Sequence, residues 1–428
     1  MRIQRRTLLR AGALGAAAVP LALLFNRSAR PAGGDQEGQN ARAPLLRDPA
    51  GILDLPAGFA YVVVERAGAL LSDGYRVPAL PDGMACFAGP GQSWVLLRNH
   101  EIERSRRQGA FEGAVPEEAY DRSALGCVSR IVVDSRSLQR VSSNLVLAGT
   151  LRNCGGGPSP WGWLSCEESV ATGHGYVFRC APEADRLRPP EKITSYGRFN
   201  HEAVCVDPRT QIAYLTEDRV DGCLYRFVPR SPATPFEGKL QALQVRDRPR
   251  FETATQLRVG QRVAVDWCTI DEPDPREDSV RYQARQQGAA SVRRGEGAWF
   301  QHNAVYVSAT TGGRLGRGQI LRLDLGGGAD TDELTAVTEA VDEDVLEGPD
   351  NITLAPWGDL YIAEDGGGED CLRVLGRNGR IVTLARNALG SSEFAGVCFS
   401  PDAAVLFVNI QQAGLTLAIR GPFQKLGA

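Results

Sequence analysis

Acidic residues recur at matching points of a repeated sequence unit, and they are the side chains best placed to do chemistry. In the clearest copy, Glu202 precedes one apolar strand, and Glu217 and Asp218 follow the next. Carboxylates gathered in one cavity repel each other strongly, so multivalent cations are their natural compensation. Such oxygens favour hard cations such as calcium or ferric iron. With only four histidines in the chain, the pattern predicts a carboxylate-built centre and excludes a cluster of imidazole-bound zinc ions.

Cys154 differs from the other nine cysteines because it lies in a loop, between Asn153 and three glycines. Most of the others lie in apolar strand patterns and are expected to be reduced core residues. A thiolate at position 154 is suited to a transition metal, which itself lowers the thiol pKa. A buried loop thiol, or a disulfide with Cys166, fits the same residues, and the sequence leaves these alternatives open.

Arg293 and Arg294 come shortly before Glu296, which places a guanidinium beside the predicted cations. Such a group is suited to a bidentate grip on a phosphoryl or carboxylate oxygen. An arginine in a loop insertion is otherwise a solvated surface residue. The chain has no G-x-S-x-G elbow and no Walker pattern, so neither a serine hydrolase nor a phosphate-binding loop is supported.

The elements that must position these residues are short strands, repeated six times with polar loops between them. The acidic and thiol residues before the first strands of the unit are Asp82, Cys154, Glu202, Glu296, Asp350 and Glu393. Those after the second strands are Glu101, Glu167, Glu168, Glu217, Asp218, Glu364 and Asp365. The repeat predicts an all-β fold, a six-bladed β-propeller with loop insertions at 103–125 and 229–293, whose polar residues converge on one channel mouth. An unrepetitive β-sandwich is the alternative.

The N-terminus carries an export pattern. Arg5 and Arg6 are followed by a short apolar run, which is typical of a Tat signal peptide over residues 1–34. Residues 35–48 are interpreted as a linker and residues 49–428 as a single β-propeller catalytic domain. We therefore expect the Tat export machinery as a partner and a periplasmic or extracellular location, with an uncleaved signal left open as a membrane anchor. The net charge of −3 argues against nucleic acid, and a monomer is expected.

Several long motifs resemble the signature of the PhoX-type alkaline phosphatase family. They are Asn153-Cys154-Gly155-Gly156-Gly157 through Trp161 to Cys166-Glu167-Glu168, Gly197 to Val204, Gly348-Pro349-Asp350-Asn351, Glu364-Asp365-Gly366, Glu393 to Gly396, Phe399 to Asp402 and Leu406 to Asn409. The resemblance spans roughly residues 50 to 423. It implies an exported propeller phosphomonoesterase with two ferric and three calcium ions around a bridging oxo group.

The resemblance also implies roles for individual residues. Cys154, Glu202 and Glu296 match the positions that bind iron, and Arg294 matches an arginine that contacts substrate phosphate. The residues expected on the calcium side are Glu168, Asp350, Glu364 and Glu393. The chain departs from the family in having Gly295 where a proline is typical, a change that bears on phosphate grip.

The predicted function is hydrolysis of small-molecule phosphate monoesters at an Fe³⁺ and Ca²⁺ centre, without a side-chain nucleophile. A calcium-dependent lactonase-type hydrolase is one alternative, because such enzymes also place carboxylates in a six-bladed channel. That enzyme would need neither Cys154 nor Arg294. A non-catalytic ligand-binding propeller, which would bind a partner through its insertions, is the other alternative.

Overall fold

The strands form six four-stranded antiparallel groups, and each group is continuous in sequence except the last. The computed structural model describes residues 44–104, 109–111, 115–326 and 331–427. Three strands precede the repeated groups: β1 (Leu45–Leu46), β2 (Leu53–Pro56) and β3 (Ala60–Arg66). The predicted signal and most of the predicted linker lie outside the described residues. β1 lies inside the predicted linker, so regular structure begins earlier than position 49.

Each group is one blade, named in chain order. Blade 1 contains β4 (Pro81–Ala88), β5 (Ser93–His100), β6 (Gly126–Asp134) and β7 (Arg140–Thr150). Blade 2 contains β8 (Gly157–Ser159), β9 (Gly162–Cys166), β10 (Val177–Cys180) and β11 (Glu191–Ile193). Blade 3 contains β12 (His201–Val206), β13 (Ala213–Glu217), β14 (Tyr225–Ser231) and β15 (Thr234–Val245). A bridging strand, β16 (Arg262–Thr269), follows. Blade 4 contains β17 (Gly295–Gln301), β18 (Ala304–Ala309), β19 (Gln319–Asp324) and β20 (Glu333–Glu339). Blade 5 contains β21 (Pro349–Leu354), β22 (Leu360–Glu364), β23 (Cys371–Leu375) and β24 (Ile381–Asn387). Blade 6 contains β25 (Phe394–Phe399), β26 (Leu406–Ile410), β27 (Leu415–Arg420) and the earlier strand β3.

The first strands of neighbouring blades contact each other in a closed ring, in the order β4, β8, β12, β17, β21, β25 and back to β4. The ring is completed within blade 6, where β27 pairs with β3 from the start of the described chain. This arrangement is a six-bladed β-propeller, and it confirms the all-β fold predicted from the repeat.

The interval 229–293 was predicted as a loop insertion, and this is only partly correct. It contains the end of β14, all of β15, and β16, which pairs with β15 and with β20 and so joins blades 3 and 4 into one nine-stranded sheet. Two short helices also lie there, α1 (Thr253–Gln256) and α2 (Val280–Gln286). No helix in the described ranges has the length and apolarity needed to cross a membrane.

Six apolar clusters of the core lie between neighbouring blades, one for each pair, and a seventh packs Leu71 and Val77 against Cys127 and Leu145 of blade 1. Successive residues of a strand face opposite clusters, since side chains alternate across a sheet. Leu164 packs with Val177 and Val204 between blades 2 and 3, whereas Trp163 packs with Phe178 and blade 1. All ten cysteines are free and nine are buried, as expected for small apolar residues in such clusters.

Candidate metal centre

The first strand of each blade is irregular where it enters the channel. In five blades its pairing shifts at this point; in blade 3, for example, the register breaks between His201 and Val204. In blade 2 an isolated bridge joins Asn153 to Glu167 before regular pairing begins. A β-bulge bends the strand locally and re-aims a side chain. We call the residues that follow the first pairing position the bulge ring: Asp82, Cys154, Glu202, Glu296, Asp350 and Ala395.

Glycine or alanine follows the bulge ring in every blade except blade 5, where Asn351 follows, and these small residues allow the strands to meet closely. An ideal Cβ on Gly83 would lie 1.7 Å from the carbonyl oxygen of Gly155, and one on Gly297 would lie 2.6 Å from that of Asp350. Only glycine fits such backbone contacts. The channel beside these glycines narrows to a cavity of ≈ 30 Å³.

Two groups of possible metal ligands meet at Glu202. One ligand atom from each of Cys154, Glu168 and Glu202 lies within 4.8 Å of the others, and the same holds for Glu202, Glu296 and Asp350. These five residues come from blades 2 to 5 and were all predicted as metal ligands. A thiol with carboxylates suits a transition metal, and carboxylates alone suit calcium.

The basic side chains at the site offset only part of the charge of its carboxylates. Burial, with repulsion from Glu101, raises the pKa of Asp82 to about 8. Burial also raises the pKa of Glu168 to about 8, against the opposing charge of Arg152. Burial and neighbouring carboxylates hold the pKa values of Glu202, Glu296 and Asp350 well above their ordinary range. Bound cations would allow these groups to ionise together.

The Cys154 thiol is held inside the same cluster. Its Sγ lies 3.1 Å from the carbonyl oxygen of His201, and burial raises the pKa of this thiol well above its ordinary value. Repulsion from Glu202 and Glu168 adds to that effect. A thiolate at this point therefore requires a cation beside it.

The second strands supply alternate residues to the channel. We call the residues one position beyond these strands, or two positions beyond in blade 2, the strand-end ring: Glu101, Glu168, Asp218, Thr310, Asp365 and Gln411. The residue just before each one turns into its blade. Glu167 accepts hydrogen bonds from the backbone N–H groups of Leu151 and Gly175, and Glu217 accepts one from the Tyr225 hydroxyl.

Glu364 was predicted as a calcium ligand, but the structure does not bring it to the cluster. It occupies the inward-turned position of blade 5. Its Oε1 accepts from Arg373 Nε at 2.8 Å and from the N–H of Glu347, and its Oε2 accepts from the N–H of Cys371. The next residue, Asp365, acts on the pKa values of Asp350 and Glu393 instead. Alternation along the strand is the reason for the difference.

Glu393 and Asp82 complete the acidic lining near blades 5, 6 and 1. Burial and repulsion from Asp365 raise the pKa of Glu393 to about 10, with a further contribution from Asp82. Asp82 is 5% exposed, and its Oδ1 has no hydrogen-bond partner among the described residues. A buried carboxylate oxygen without a hydrogen-bond partner destabilises the fold unless a ligand contacts it, so the position of Oδ1 is compatible with a bound cation.

Two arginines lie among these carboxylates. Arg294 donates from Nε to Asp218 at 2.8 Å and from Nη2 to Glu296 at 2.6 Å, beside the predicted iron ligands. Arg152, which sequence reasoning missed, donates from Nε and Nη2 to Glu101 and forms an ion pair with Glu168. Aligning the blades on their bulge-ring residues would have found it, because each arginine lies two positions earlier.

Comparison with known proteins adds three findings. A family model described as alkaline phosphatase PhoX matches residues 41–414. No curated protein matches the chain. Pseudomonas fluorescens PhoX, solved in complex with vanadate, a transition state analogue, is similar in structure at a TM-score of 0.67 and 18% identity, covering 89% of this chain and 97% of that one.

Two lactonases are more distant. A gluconolactonase of Xanthomonas campestris has a TM-score of 0.47 at 12% identity over 90% of this chain and 99% of that one. A periplasmic gluconolactonase of Pseudomonas aeruginosa has a TM-score of 0.44 at 14% identity over 87% of this chain and 93% of that one. Likenesses of this degree carry no argument about activity.

Proposed function

The chain belongs to the PhoX family of alkaline phosphatases, and from this premise we propose that it hydrolyses phosphate monoesters at an iron and calcium centre in the propeller channel. The observation that carries the proposal is the pair of ligand groups that share Glu202, one of which contains Cys154. Small-molecule phosphate esters are the proposed substrates.

The donor set divides into two parts. Cys154 and Glu202 would hold a ferric ion together with Glu168, which the family resemblance implied for the calcium side but which lies in one group with Cys154. Glu296 joins Glu202 toward a second ferric ion. The carboxylates nearer blades 5, 6 and 1 would hold calcium: Asp82, Asp350, Asp365 and Glu393. When bound, such cations neutralise phosphate charge and supply a nucleophile at alkaline pH.

Arg294 has the chemistry to bind and orient the phosphoryl group. It is always charged, and its side chain is 31% exposed, so a substrate oxygen can reach it. Its bonds to Asp218 and Glu296 hold the guanidinium plane in one orientation before substrate arrives. Preorganised donors of this kind stabilise the equatorial oxygens of the transferring group without a cost of reorganisation.

The test is elemental analysis of purified protein, followed by assay on an aryl phosphate at alkaline pH. We expect iron and calcium in the protein and turnover that a chelator abolishes. Absence of iron together with no turnover after calcium is added would contradict the proposal.

The Cys154→Ser variant separates the proposal from its alternatives. We expect loss of iron and activity in this variant, because serine is a poor ligand for a transition metal. Cys166→Ser is the matched control, since Cys166 is a buried neighbour outside both ligand groups. A calcium lactonase would keep its activity in Cys154→Ser, and a non-catalytic binding propeller would show no metal-dependent turnover in any variant.

Export is a separate proposal that depends on the N-terminal pattern. We propose that the Arg5-Arg6 segment directs Tat export, so that a monomeric enzyme acts in the periplasm or outside the cell. Cells expressing the chain should release its activity with the periplasmic fraction, and replacement of both arginines by lysine should retain the activity in the cytoplasm. Equal fractionation of the two proteins would contradict this proposal. Size-exclusion chromatography tests the monomer.

A further inference from the structure

A third set of equivalent residues surrounds the channel. In every blade the N–H of the strand-end ring donates to the carbonyl oxygen of the residue two positions before the bulge ring, at distances of 2.9 to 3.2 Å. We call these residues the acceptor ring: Leu80, Arg152, Asn200, Arg294, Gly348 and Glu393. Because one backbone contact defines the set in all six blades, its members occupy equivalent places around the channel.

Within this ring, Arg152 and Arg294 are conformational copies. Their φ angles are 47° and 48°, in the left-handed region that non-glycine residues rarely adopt, and Leu80 and Gly348 of the same ring share this conformation at 49° and 51°. The N–H of Arg152 donates to Ile102 and that of Arg294 to Arg219, the residues that follow the strand-end ring in the preceding blade. Since Leu80 shares this backbone, the conformation belongs to the ring position, and the contacts of the side chains distinguish the two arginines.

Their side chains also make matching contacts. Each guanidinium uses Nε and Nη2 to reach the strand-end carboxylate of the preceding blade, Glu101 for Arg152 and Asp218 for Arg294. Each Nη2 also reaches a predicted metal ligand of its own blade, Glu168 or Glu296. The side chains are 33% and 31% exposed, and among the described residues neither Nη1 has a hydrogen-bond partner.

The two arginines flank the same ligand groups. Glu168, which pairs with Arg152, lies in one group with Glu202, and Glu202 lies in the other with Glu296, which pairs with Arg294. Both arginine charges oppose the burial that raises the pKa of Glu168. Asn200, the acceptor-ring residue of the blade between them, donates from Nδ2 to Glu168 at 3.0 Å. The acceptor-ring residues of blades 5, 6 and 1 are Gly348, Glu393 and Leu80, and none of these three has a basic side chain.

From this geometry we propose that Arg152 is a second substrate-binding residue, which engages the phosphoryl group opposite Arg294 through its free Nη1. The inference rests on the proposed phosphatase function. Two fixed guanidinium groups match the dianionic charge and three terminal oxygens of a phosphate monoester better than the single charge of a diester. Arg152 would therefore favour monoesters over diesters.

The experiment compares Arg152→Met and Arg152→Lys with the wild-type holoenzyme, using inorganic phosphate as the probe. We expect Arg152→Met to weaken phosphate binding at least about ten-fold by calorimetry, as loss of a charge-assisted hydrogen bond does. Arg152→Lys should restore part of that loss. Arg179→Met, in the outer half of the same blade and paired with exposed Glu191, is the matched control and should bind phosphate normally.

Two further measurements decide between binding and mere positioning. Metal content per chain should stay at the wild-type level in Arg152→Met, and kcat/KM should fall more for an aryl phosphate monoester than for the corresponding diester. Unchanged phosphate affinity, or metal lost in step with activity, would overturn the inference and make Arg152 a support for Glu101 and Glu168. If the wild-type protein itself binds neither metal nor phosphate, the proposed function fails instead.

Discussion

At the scale of single residues, the site depends on which member of an acidic pair faces the channel. Glu364 and Asp365 are adjacent and chemically alike, yet one bonds to Arg373 and the other lies near Asp350 and Glu393. The charge of Glu364 is compensated by a basic side chain of the protein, whereas the charge of Asp365 is not. Only the second is therefore available to a cation.

The pair provides a direct prediction. Asp365→Asn should reduce calcium per chain and activity by roughly ten-fold or more, without loss of stability in chelator-treated protein, because it relieves repulsion. Glu364→Gln should keep its metal but lose about 3 kcal/mol of unfolding free energy, since Arg373 is left with a buried unpaired charge. Elemental analysis and urea denaturation distinguish the two. Loss of metal in Glu364→Gln alone would reverse the assignment.

The raised pKa values of the buried carboxyl groups predict how the stability of the chelator-treated protein changes with pH. The pKa values of Asp82 and Glu168 are about 8 in the fold, far above the ordinary carboxyl range. The folded chain therefore holds protons that the unfolded chain has released, so these two groups lose their stabilising effect as pH rises to about 8. Below about pH 6.5 the opposite trend of the buried His100 and His201, whose pKa values burial lowers, offsets this effect. Melting temperatures without metal should decrease from about pH 6.5 to about pH 8, and added calcium should reverse the decrease at pH 8. A flat profile would contradict the clustering.

The sequence could predict the carboxylates but not their orientation. The motifs around Cys154, Glu202 and Glu296 identify residues that the structure brings together. Near Glu364, a shift of one residue exchanges the channel face for the blade face, and the bulge that sets this register leaves no local signal. Arg152 was not predicted as a site residue because its loop has no acidic residue two positions later, whereas Arg294 is followed two positions later by Glu296.

At the scale of the elements, the first strands of the six blades form a ring of closely packed backbones. This packing sets the spacing of the candidate metal ligands. Gly83 and Gly155, which meet side by side, each follow a bulge-ring residue, Asp82 or Cys154. A side chain between these strands would separate blades 1 and 2 at the metal site itself.

Gly83→Ala should therefore damage both fold and site. The added Cβ would lie 1.7 Å from the Gly155 carbonyl oxygen, and overpacking of this kind costs about 1 to 3 kcal/mol or more. We expect reduced unfolding free energy and loss of iron, because Cys154 moves with Gly155. Gly367→Ala is the control, since no atom lies within 4 Å of the new Cβ. Normal stability and iron content in Gly83→Ala would show that the strands can separate freely.

The elements themselves were partly predictable. Repeated apolar strands with polar ends indicate the blades, because strand periodicity is local information. β16 was not predicted, since its partners β15 and β20 belong to different blades and the charged, Pro-containing interval around it is typical of a loop. Pairing between distant strands is a tertiary property that the local pattern does not contain.

At the scale of the whole molecule, the ring is held closed across blades 6 and 1. Glu65 on β3 is fully buried and pairs with Arg98 at 2.6 Å and with Arg140 at 2.8 Å, both in blade 1. Arg98 also donates to the Thr416 hydroxyl on β27. One buried ion network therefore joins the strand that closes blade 6 to its neighbour.

Glu65→Gln should weaken this closure. Removing one partner of a buried ion pair costs about 3 to 5 kcal/mol, because Arg98 keeps an uncompensated charge. The loss is measurable as a lower urea midpoint of the holoenzyme. Glu191→Gln, which breaks the exposed pair with Arg179, should cost about 0 to 1 kcal/mol. Equal effects of the two changes would contradict a structural role for the buried network.

The pairing of β3 with β27 also sets an order of events during synthesis. β3 emerges from the ribosome early, but its partner follows only after the other five blades have been made. Until then Asp82 of blade 1 and Glu393 of blade 6 belong to opposite ends of an open arc. The complete ring of candidate cation ligands can therefore exist only after the last blade has been synthesised.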